Sequence, residues 1–255
     1  MPAHWTDDYY GDLYLDSIAD LLTPRLSALE AEVIAGLLGV GPADRVLDLA
    51  CGHGRHAWPL SARAGRVFGL ERSRAYLARA SATSRPPPRR PLFVRADVRA
   101  LPLRAGSIDA AFSWYASLFM FDDATNEACL ADLARTLRPG GRALVHHANP
   151  LRLALEPRDA ARRTLPDGST VEEVSAFDPA TGVDRCSRRL VRTSGTVLAG
   201  TAELRYYRPS EWRPLSERAG LRLVELTSTT DAGRTPRPDL GPEAPDLIAL
   251  LEKPR

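Results

Sequence analysis

The chain has 255 residues, of which 44% are hydrophobic and 26% charged, the composition of a globular protein large enough for one α/β domain. Its 34 basic and 32 acidic residues give a net charge of +2, which argues against the basic surface of a nucleic-acid-binding protein. No segment approaches the roughly 18 apolar residues of a membrane span, and the polar, acidic start does not resemble a secretory signal. The sequence therefore predicts a cytoplasmic protein.

The first predicted elements are a helix and a series of strands. Apolar residues recur every three or four positions from Leu26 to Leu38, which predicts an amphipathic helix ended by Gly41-Pro42. Short apolar strands then alternate with helical segments, which is typical of βαβ units and a parallel sheet. The predicted strands are 45–49, 66–70, 92–95, 108–113 and 143–147, and the predicted helices are 55–64, 74–82 and 124–137.

The pattern changes after Pro150. Residues 169–177, 183–191 and 196–207 predict three antiparallel strands joined by turns, a meander that caps the sheet. A helix at 210–219 and strands at 221–227 and 246–252 then return to the sheet. We predict a single domain, 1–255, with a helical arm at 1–40, a core at 41–150, an inserted β cap at 151–207 and a C-terminal helix with two strands at 208–255.

The stretch VLDLACGHGRHA, residues 46–57, runs from an apolar strand into a glycine turn. Gly52, Gly54 and Ala57 have the G-x-G-x-x-G/A spacing, which lets a ligand approach the backbone at the carboxyl end of a parallel strand. A nicotinamide dinucleotide fits this spacing, because Glu71 ends the next strand where a ribose-binding acid is expected. Asp48, however, opposes a pyrophosphate and suits a ligand that carries an ammonium and a sulfonium.

Further motifs follow in a fixed order: GLERS at 69–73, RADV at 95–98, SIDAAFSWYASLFMF at 107–121 and RPGG at 138–141. With DLACGHG, they resemble those of the class I S-adenosylmethionine-dependent methyltransferases, and the resemblance covers nearly the whole chain. YYGDLYL, CGHGRH and ELRYYRPSEW are similar to a bacterial small-molecule branch. The resemblance implies a Rossmann-like α/β fold: a seven-stranded, mostly parallel sheet whose last strand is antiparallel, with the β-meander cap and the N-terminal arm.

The resemblance also implies S-adenosyl-L-methionine as cofactor and S-adenosyl-L-homocysteine as product. No metal is expected, because Cys51, Cys129 and Cys186 lack the spacing of a Cys/His metal site. The resemblance places Glu71 at the ribose and Asp97 with Val98 at the adenine. The residues expected to bind the cofactor are Tyr14, Asp48, Ala50, Gly52, Gly54, Glu71, Arg72, Asp97, Val98 and Ser113. Pro59 departs from a regular helix after the loop, because it removes a backbone donor.

Methyl transfer does not strictly require a catalytic side chain, but histidine is the usual general base near neutral pH. The candidates are His146 and His147 at the end of the fifth strand, and strand alternation directs them to opposite faces. Aromatic rings attract amines and a guanidinium binds anions. On this basis, with the resemblance, the residues expected to bind the substrate are Trp114, Tyr115, Asn149, Arg205 and Tyr207.

The sequence thus predicts methyl transfer to N, O or C of a small molecule or short peptide, in specialised metabolism, by a monomer or homodimer without nucleic-acid or membrane partners. Three alternatives stay open. The same cofactor could be cyclised with release of methylthioadenosine, the chain could be an NAD-dependent oxidoreductase, or it could bind a cofactor without catalysis. Fold alone does not decide between them.

Overall fold

The computed structural model describes residues 5–82, 90–156, 160–229, 236–237 and 240–255. Its elements are, in chain order, α1 (Trp5–Tyr9), α2 (Asp12–Ile18), α3 (Pro24–Leu38), β1 (Arg45–Leu49), α4 (Ala57–Leu60), β2 (Arg66–Glu71), α5 (Arg74–Ala82), β3 (Leu92–Arg95), β4 (Ile108–Ser113), α6 (Asp123–Thr136), β5 (Leu137–Ala148), α7 (Pro150–Leu155), β6 (Ala160–Thr164), β7 (Thr170–Asp178), β8 (Val183–Val191), β9 (Val197–Arg205), α8 (Pro209–Arg218), β10 (Arg222–Thr229), β11 (Pro236–Arg237) and β12 (Asp246–Glu252).

The main sheet has the strand order β11-β10-β12-β5-β4-β1-β2-β3. Strands β1 to β5 pair in parallel, whereas β12 runs antiparallel to both β5 and β10. The predicted seven-stranded sheet with an antiparallel last strand is therefore confirmed, and the two-residue β11 extends one edge. β5 begins six residues before its predicted start, because Leu137 already pairs with Ile108.

The cap is a separate antiparallel sheet with the order β6-β7-β8-β9. The predicted three-stranded meander is confirmed, but β6 and the short helix α7 before it were not predicted. The sequence of β6, AARRT, has no alternation of apolar and polar residues that would mark a strand. The arm packs against this sheet closely: a Cβ on Gly200 would lie 3.0 Å from Leu13 Cδ2.

Helices cover both faces of the main sheet. On one face α3 and α4 pack around Val46 and Phe112, and on the other α6 and α8 pack around Leu47 and Leu247. Asp122 caps α6, since its carboxylate accepts the N–H of Thr125 at 2.7 Å. No helix in the described ranges is long and apolar enough to cross a membrane.

Two helices differ from the sequence prediction. The helix after the glycine turn was expected at 55–64 but spans only Ala57–Leu60, and it contains Pro59, which lacks a backbone donor. α3 is present as predicted, but the face that it buries differs from the apolar stripe that was predicted between Leu26 and Leu38. Leu29 of that stripe is 38% exposed. The buried face includes the small residues Ala31 and Ala35, which allow the helix to approach the sheet closely.

Candidate active site

A cavity of about 1200 Å³ lies at the carboxyl edge of the parallel strands. Its floor is formed by residues that end or follow β1 to β4, and its roof by the arm and the inner face of the cap sheet. Eight of the ten residues predicted to bind the cofactor line it: Tyr14, Asp48, Ala50, Gly52, Glu71, Arg72, Asp97 and Val98. Trp114 and Tyr115 line it too.

Glu71 fixes the glycine turn. Its carboxylate accepts the backbone N–H of Gly52 at 3.0 Å and that of Ser73 at 2.7 Å. Burial raises the pKa of Glu71, and the backbone donors oppose this shift. Gly52 has a positive φ of 57°, which glycine adopts without strain. The acid at the end of β2 and the turn after β1 are therefore one rigid unit at the cavity floor.

Among the buried polar atoms of the floor that lack hydrogen-bond partners in the described residues are Asp48 Oδ2 and Arg55 Nη2. Burial raises the pKa of Asp48, while the nearby charge of Arg55 lowers it. Both side chains line the cavity. An orphaned carboxylate oxygen and an orphaned guanidinium nitrogen match the ammonium and carboxylate of an α-amino acid, so this floor fits the methionine part of S-adenosylmethionine.

Asp97 lines the cavity but already has strong partners. Arg99 binds it with two parallel bonds, Nε to Oδ1 at 3.0 Å and Nη2 to Oδ2 at 2.7 Å. Burial favours a raised pKa for Asp97, but the bonds from Arg99 outweigh it and lower the pKa. Asp97 is thus held as a carboxylate in a fixed orientation. A ligand can bind only to those lone pairs of the Asp97 oxygens that Arg99 does not occupy.

A buried network below the cavity was missed by the sequence reasoning. Glu30 Oε2 accepts from Arg55 and from His56 Nε2, the latter at 3.0 Å, and Oε1 accepts from the Tyr115 hydroxyl at 2.7 Å. These bonds lower the pKa of Glu30 despite its burial, which acts in the opposite direction. The available signal was a charged residue four positions after Leu26, within an otherwise apolar helix face.

His146 is fully engaged by its neighbours. Its Nδ1 accepts the backbone N–H of Tyr115 at 3.0 Å, so the proton lies on Nε2, which faces Asp246 Oδ2 at 3.1 Å. Its ring stacks on Trp114 at 4.3 Å, and its carbonyl accepts the N–H of Ala116 at 2.8 Å. Neither ring nitrogen is available as a base in this arrangement, and the ring does not line the cavity.

His147 points to the other face of the sheet, as strand alternation requires. Its ring stacks on Trp212 at 5.6 Å and its Nδ1 lies 2.7 Å from the carbonyl oxygen of Ala148. This places His147 in the apolar layer under α8, away from the cavity. Asn149 also lies away from the cavity, because its side chain caps α7 and donates to the carbonyls of Gly241 and Ala244.

Four further candidates lie outside the cavity lining. Arg205 is paired with Asp123 and Glu211, and the Tyr207 hydroxyl donates to the same Asp123 at 2.8 Å. Both residues thus join the cap to α6 and α8. Gly54 packs on Phe93, where a Cβ would lie 2.7 Å from Cζ, and Ser113 is buried within β4.

The buried histidines predict a loss of stability in mild acid. Burial lowers the pKa of His56 to about 4 and that of His147 to about 3. The unfolded chain binds these protons near pH 6.5 whereas the folded protein does not. Stability is therefore full above pH 6.5 and falls as the pH drops towards 4, by about 1.4 kcal/mol per pH unit for each histidine.

Urea unfolding at pH 7, 6 and 5 checks this expectation. The variant His147→Phe keeps an aromatic ring against Trp212, and its unfolding free energy should fall less steeply between pH 6.5 and 4 than that of the unchanged protein. Equal slopes for the two proteins would show that His147 is not held neutral by burial.

Comparison with known proteins agrees with this geometry. Residues 46–141 match the methyltransferase domain family. The structure resembles the CcbJ methyltransferase from Streptomyces caelestis (24% identity, 96% of this chain and 98% of the other, TM-score 0.78). It also resembles CalS10 from Micromonospora echinaspora, an amino pentose methyltransferase solved with S-adenosylmethionine bound (21% identity, 99% and 98%, TM-score 0.62).

Among curated proteins, the chain is 33% identical over 135 residues to a 2-phytyl-1,4-naphtoquinone methyltransferase of Synechococcus elongatus, covering 51% of this chain and 57% of that protein. The chain spans about half the length of the first curated relatives that it matches, between 43% and 57%. The fold is that of these solved methyltransferases. Residues 46–141 are the part of the chain that is similar to the methyltransferase domain family.

Proposed function

We propose that the protein transfers a methyl group from S-adenosylmethionine to N, O or C of a small molecule, in specialised metabolism. The cavity carries this proposal. Its floor offers opposite charges for an amino-acid group and the acid Glu71 for a ribose, and its roof closes over further space. At about 1200 Å³ it exceeds the usual range for one ligand, about 300–1,000 Å³, and so accommodates cofactor and acceptor together.

In this proposal Asp48 and Arg55 bind the methionine part, Glu71 the ribose, and Asp97 with Val98 the adenine. Tyr14 of the arm closes over the cofactor, and Arg72, which donates to Thr6 Oγ1 at 2.8 Å, ties the arm to the end of β2. When bound, the cofactor supplies a methyl carbon activated by a sulfonium. The residues of the chain orient the two reactants in line and exclude water, which is the main requirement of such a displacement.

We assign His146 a positioning role instead of the predicted role as a base. Tyr115 and Ala116 have positive φ values of 60° and 58°, a conformation that costs about 1–3 kcal/mol per residue outside glycine and persists only where neighbours enforce it. The bonds from both backbone N–H groups to His146 enforce it here. His146 thereby sets the direction in which Trp114 and Tyr115 face the cavity.

The variants His146→Ala and His146→Asn separate positioning from base catalysis. Alanine removes the acceptor for the Tyr115 N–H, and we expect kcat to fall by about 10- to 100-fold. Asparagine places an acceptor near the position of Nδ1 but cannot act as a base, so it should recover much of the loss. Steady-state kinetics check this; if asparagine is as impaired as alanine, the positioning role is wrong.

We also propose that the protein is cytoplasmic, that it is a monomer or homodimer, and that it has no nucleic-acid partner. Support comes from the net charge of +2 and from Cys51, Cys129 and Cys186, which are free buried thiols of the kind found in reducing compartments. The amino pentose that is the substrate class named for CalS10 supports a small polar acceptor.

Incubation with methyl-labelled S-adenosylmethionine and a panel of small amines and alcohols tests the proposal. We expect acceptor-dependent release of S-adenosylhomocysteine, with the label in the acceptor. Acceptor-independent release of methylthioadenosine would instead indicate cyclisation. Tight binding without turnover of any acceptor would favour a binding protein.

A further inference from the structure

The inner face of the cap sheet combines apolar residues with a charged pair above the cavity. Val171, Leu190 and Ala202 pack there against Tyr9 and Leu13 of the arm. In the same face β7 and β8 carry a charged cross-strand pair, in which Glu173 lies directly opposite Arg188. Because paired residues of neighbouring strands point to the same side, both side chains face the arm and the cavity, which they line.

The two partners differ in exposure. Arg188 donates from Nε to Glu173 Oε2 at 2.7 Å and from Nη2 to the same oxygen. The Arg188 side chain is only 9% exposed, and its guanidinium lies 4.9 Å from the ring centre of Tyr14. The Glu173 side chain is 30% exposed, and its other oxygen, Oε1, has no hydrogen bond to any described residue. Arg188 thus holds the carboxylate from behind while Oε1 stays available.

Stability alone does not account for this pair. An ion pair in an apolar layer is often no more stable than apolar side chains of similar size, because both charges lose their hydration. The neighbours on either side are small: Ala161 lies opposite Glu173 on β6, and Gly200 lies opposite Arg188 on β9. Ala161 also lines the cavity and leaves room beside the carboxylate.

The surroundings of Glu173 favour a cation. The rings of Tyr10 and Tyr14 line the same part of the cavity, with their centres 4.9 Å apart, and aromatic faces attract ammonium groups. Arg163, another cation of this wall, is paired with Asp20 at 2.7 Å. Arg188 keeps one buried nitrogen, Nη1, without a partner among the described residues, while Nε and Nη2 bind Glu173. The open oxygen of Glu173 beside the tyrosine rings is suited to bind an ammonium group.

We propose that Glu173, held by Arg188, binds an ammonium group of the acceptor substrate, so that the substrate class is a small aliphatic amine such as an amino sugar. This inference rests on the proposed function and deepens it, since it names the group that the roof recognises. Glu173 is a specificity-determining residue here, and no proton transfer is assigned to it.

Binding of two matched probes to the enzyme loaded with S-adenosylhomocysteine tests the inference. D-glucosamine carries an ammonium group, and D-glucose is its neutral counterpart. We expect saturation-transfer NMR titrations to show tighter binding of glucosamine, and Glu173→Gln to weaken glucosamine binding by about tenfold while leaving that of glucose unchanged. Glu172→Gln is the matched control, because Glu172 precedes Glu173 on β7 and pairs with Arg189 instead.

Calorimetry with S-adenosylhomocysteine distinguishes a failure of the proposed function from a failure of the role proposed for Glu173. No affinity for this nucleoside would overturn the proposed function itself. Normal affinity with no preference for glucosamine, or with a preference that survives Glu173→Gln, would overturn only the role of Glu173. If Glu173→Gln does not fold, Ala161→Leu keeps the ion pair but fills the space beside it, and it should then block glucosamine; unchanged glucosamine binding would likewise contradict the proposal.

Discussion

The Glu71→Ala variant is expected to bind S-adenosylmethionine about 100-fold more weakly than the unchanged protein. Two effects add. The proposed bonds to the ribose hydroxyls are lost, and the N–H groups of Gly52 and Ser73 lose their shared acceptor, which loosens the glycine turn. Hydrogen bonds to a charged group contribute about 1.5–3 kcal/mol each, so the loss of two at the lower end of this range accounts for about two orders of magnitude.

Isothermal titration calorimetry measures this change. Glu252→Ala serves as the control, because Glu252 is also an acid at a strand end but pairs with Arg142 and Arg222 at the opposite edge of the sheet. Its affinity for the cofactor should stay within about twofold of the unchanged protein. A Glu71→Ala variant with the same dissociation constant would remove Glu71 from the cofactor site.

The second large effect is expected on folding. Glu30→Ala removes the common acceptor of Arg55, His56 and Tyr115, and it leaves the guanidinium of Arg55 buried without its counter-charge. Breaking a buried ion pair from one side typically costs about 3–5 kcal/mol, and we expect a loss of this size in the free energy of unfolding. Urea denaturation at pH 7 measures it.

Glu32→Ala is the matched control on the same helix. Glu32 pairs with Arg63, but its side chain is 56% exposed, and exposed pairs contribute at most about 1 kcal/mol. A Glu30→Ala variant that is no less stable than Glu32→Ala would show that the network around Glu30 does not support the fold.

The strands of the main sheet and the position of the glycine turn were predictable because they depend on local patterns. Apolar runs of four to six residues mark β1 to β4, and the turn at Gly52 with the acid Glu71 lies where the motif requires. The position of RPGG was predicted correctly, but the start of β5, which contains it, was not. β5 starts early because Leu137 pairs with Ile108 in another strand.

The residues at the floor of the candidate site were predictable from the sequence, whereas those around the floor were not. Asp48 lies near the end of β1 and Glu71 is the last residue of β2, so topology alone brings them to one edge. Arg205 and Tyr207 were assigned to the substrate, but Asp123, distant in sequence, binds both. Glu30 and Glu173 reach their partners through helix packing and strand register, and neither is encoded in spacing along the chain.

Calorimetric titration of the purified protein with S-adenosylmethionine and, separately, with NAD⁺ tests the central claim most directly. A floor with Asp48 and Arg55 at its base should bind the sulfonium nucleoside at one site per chain and show no saturable binding of the dinucleotide. Saturation by NAD⁺ with no heat from S-adenosylmethionine would contradict the account.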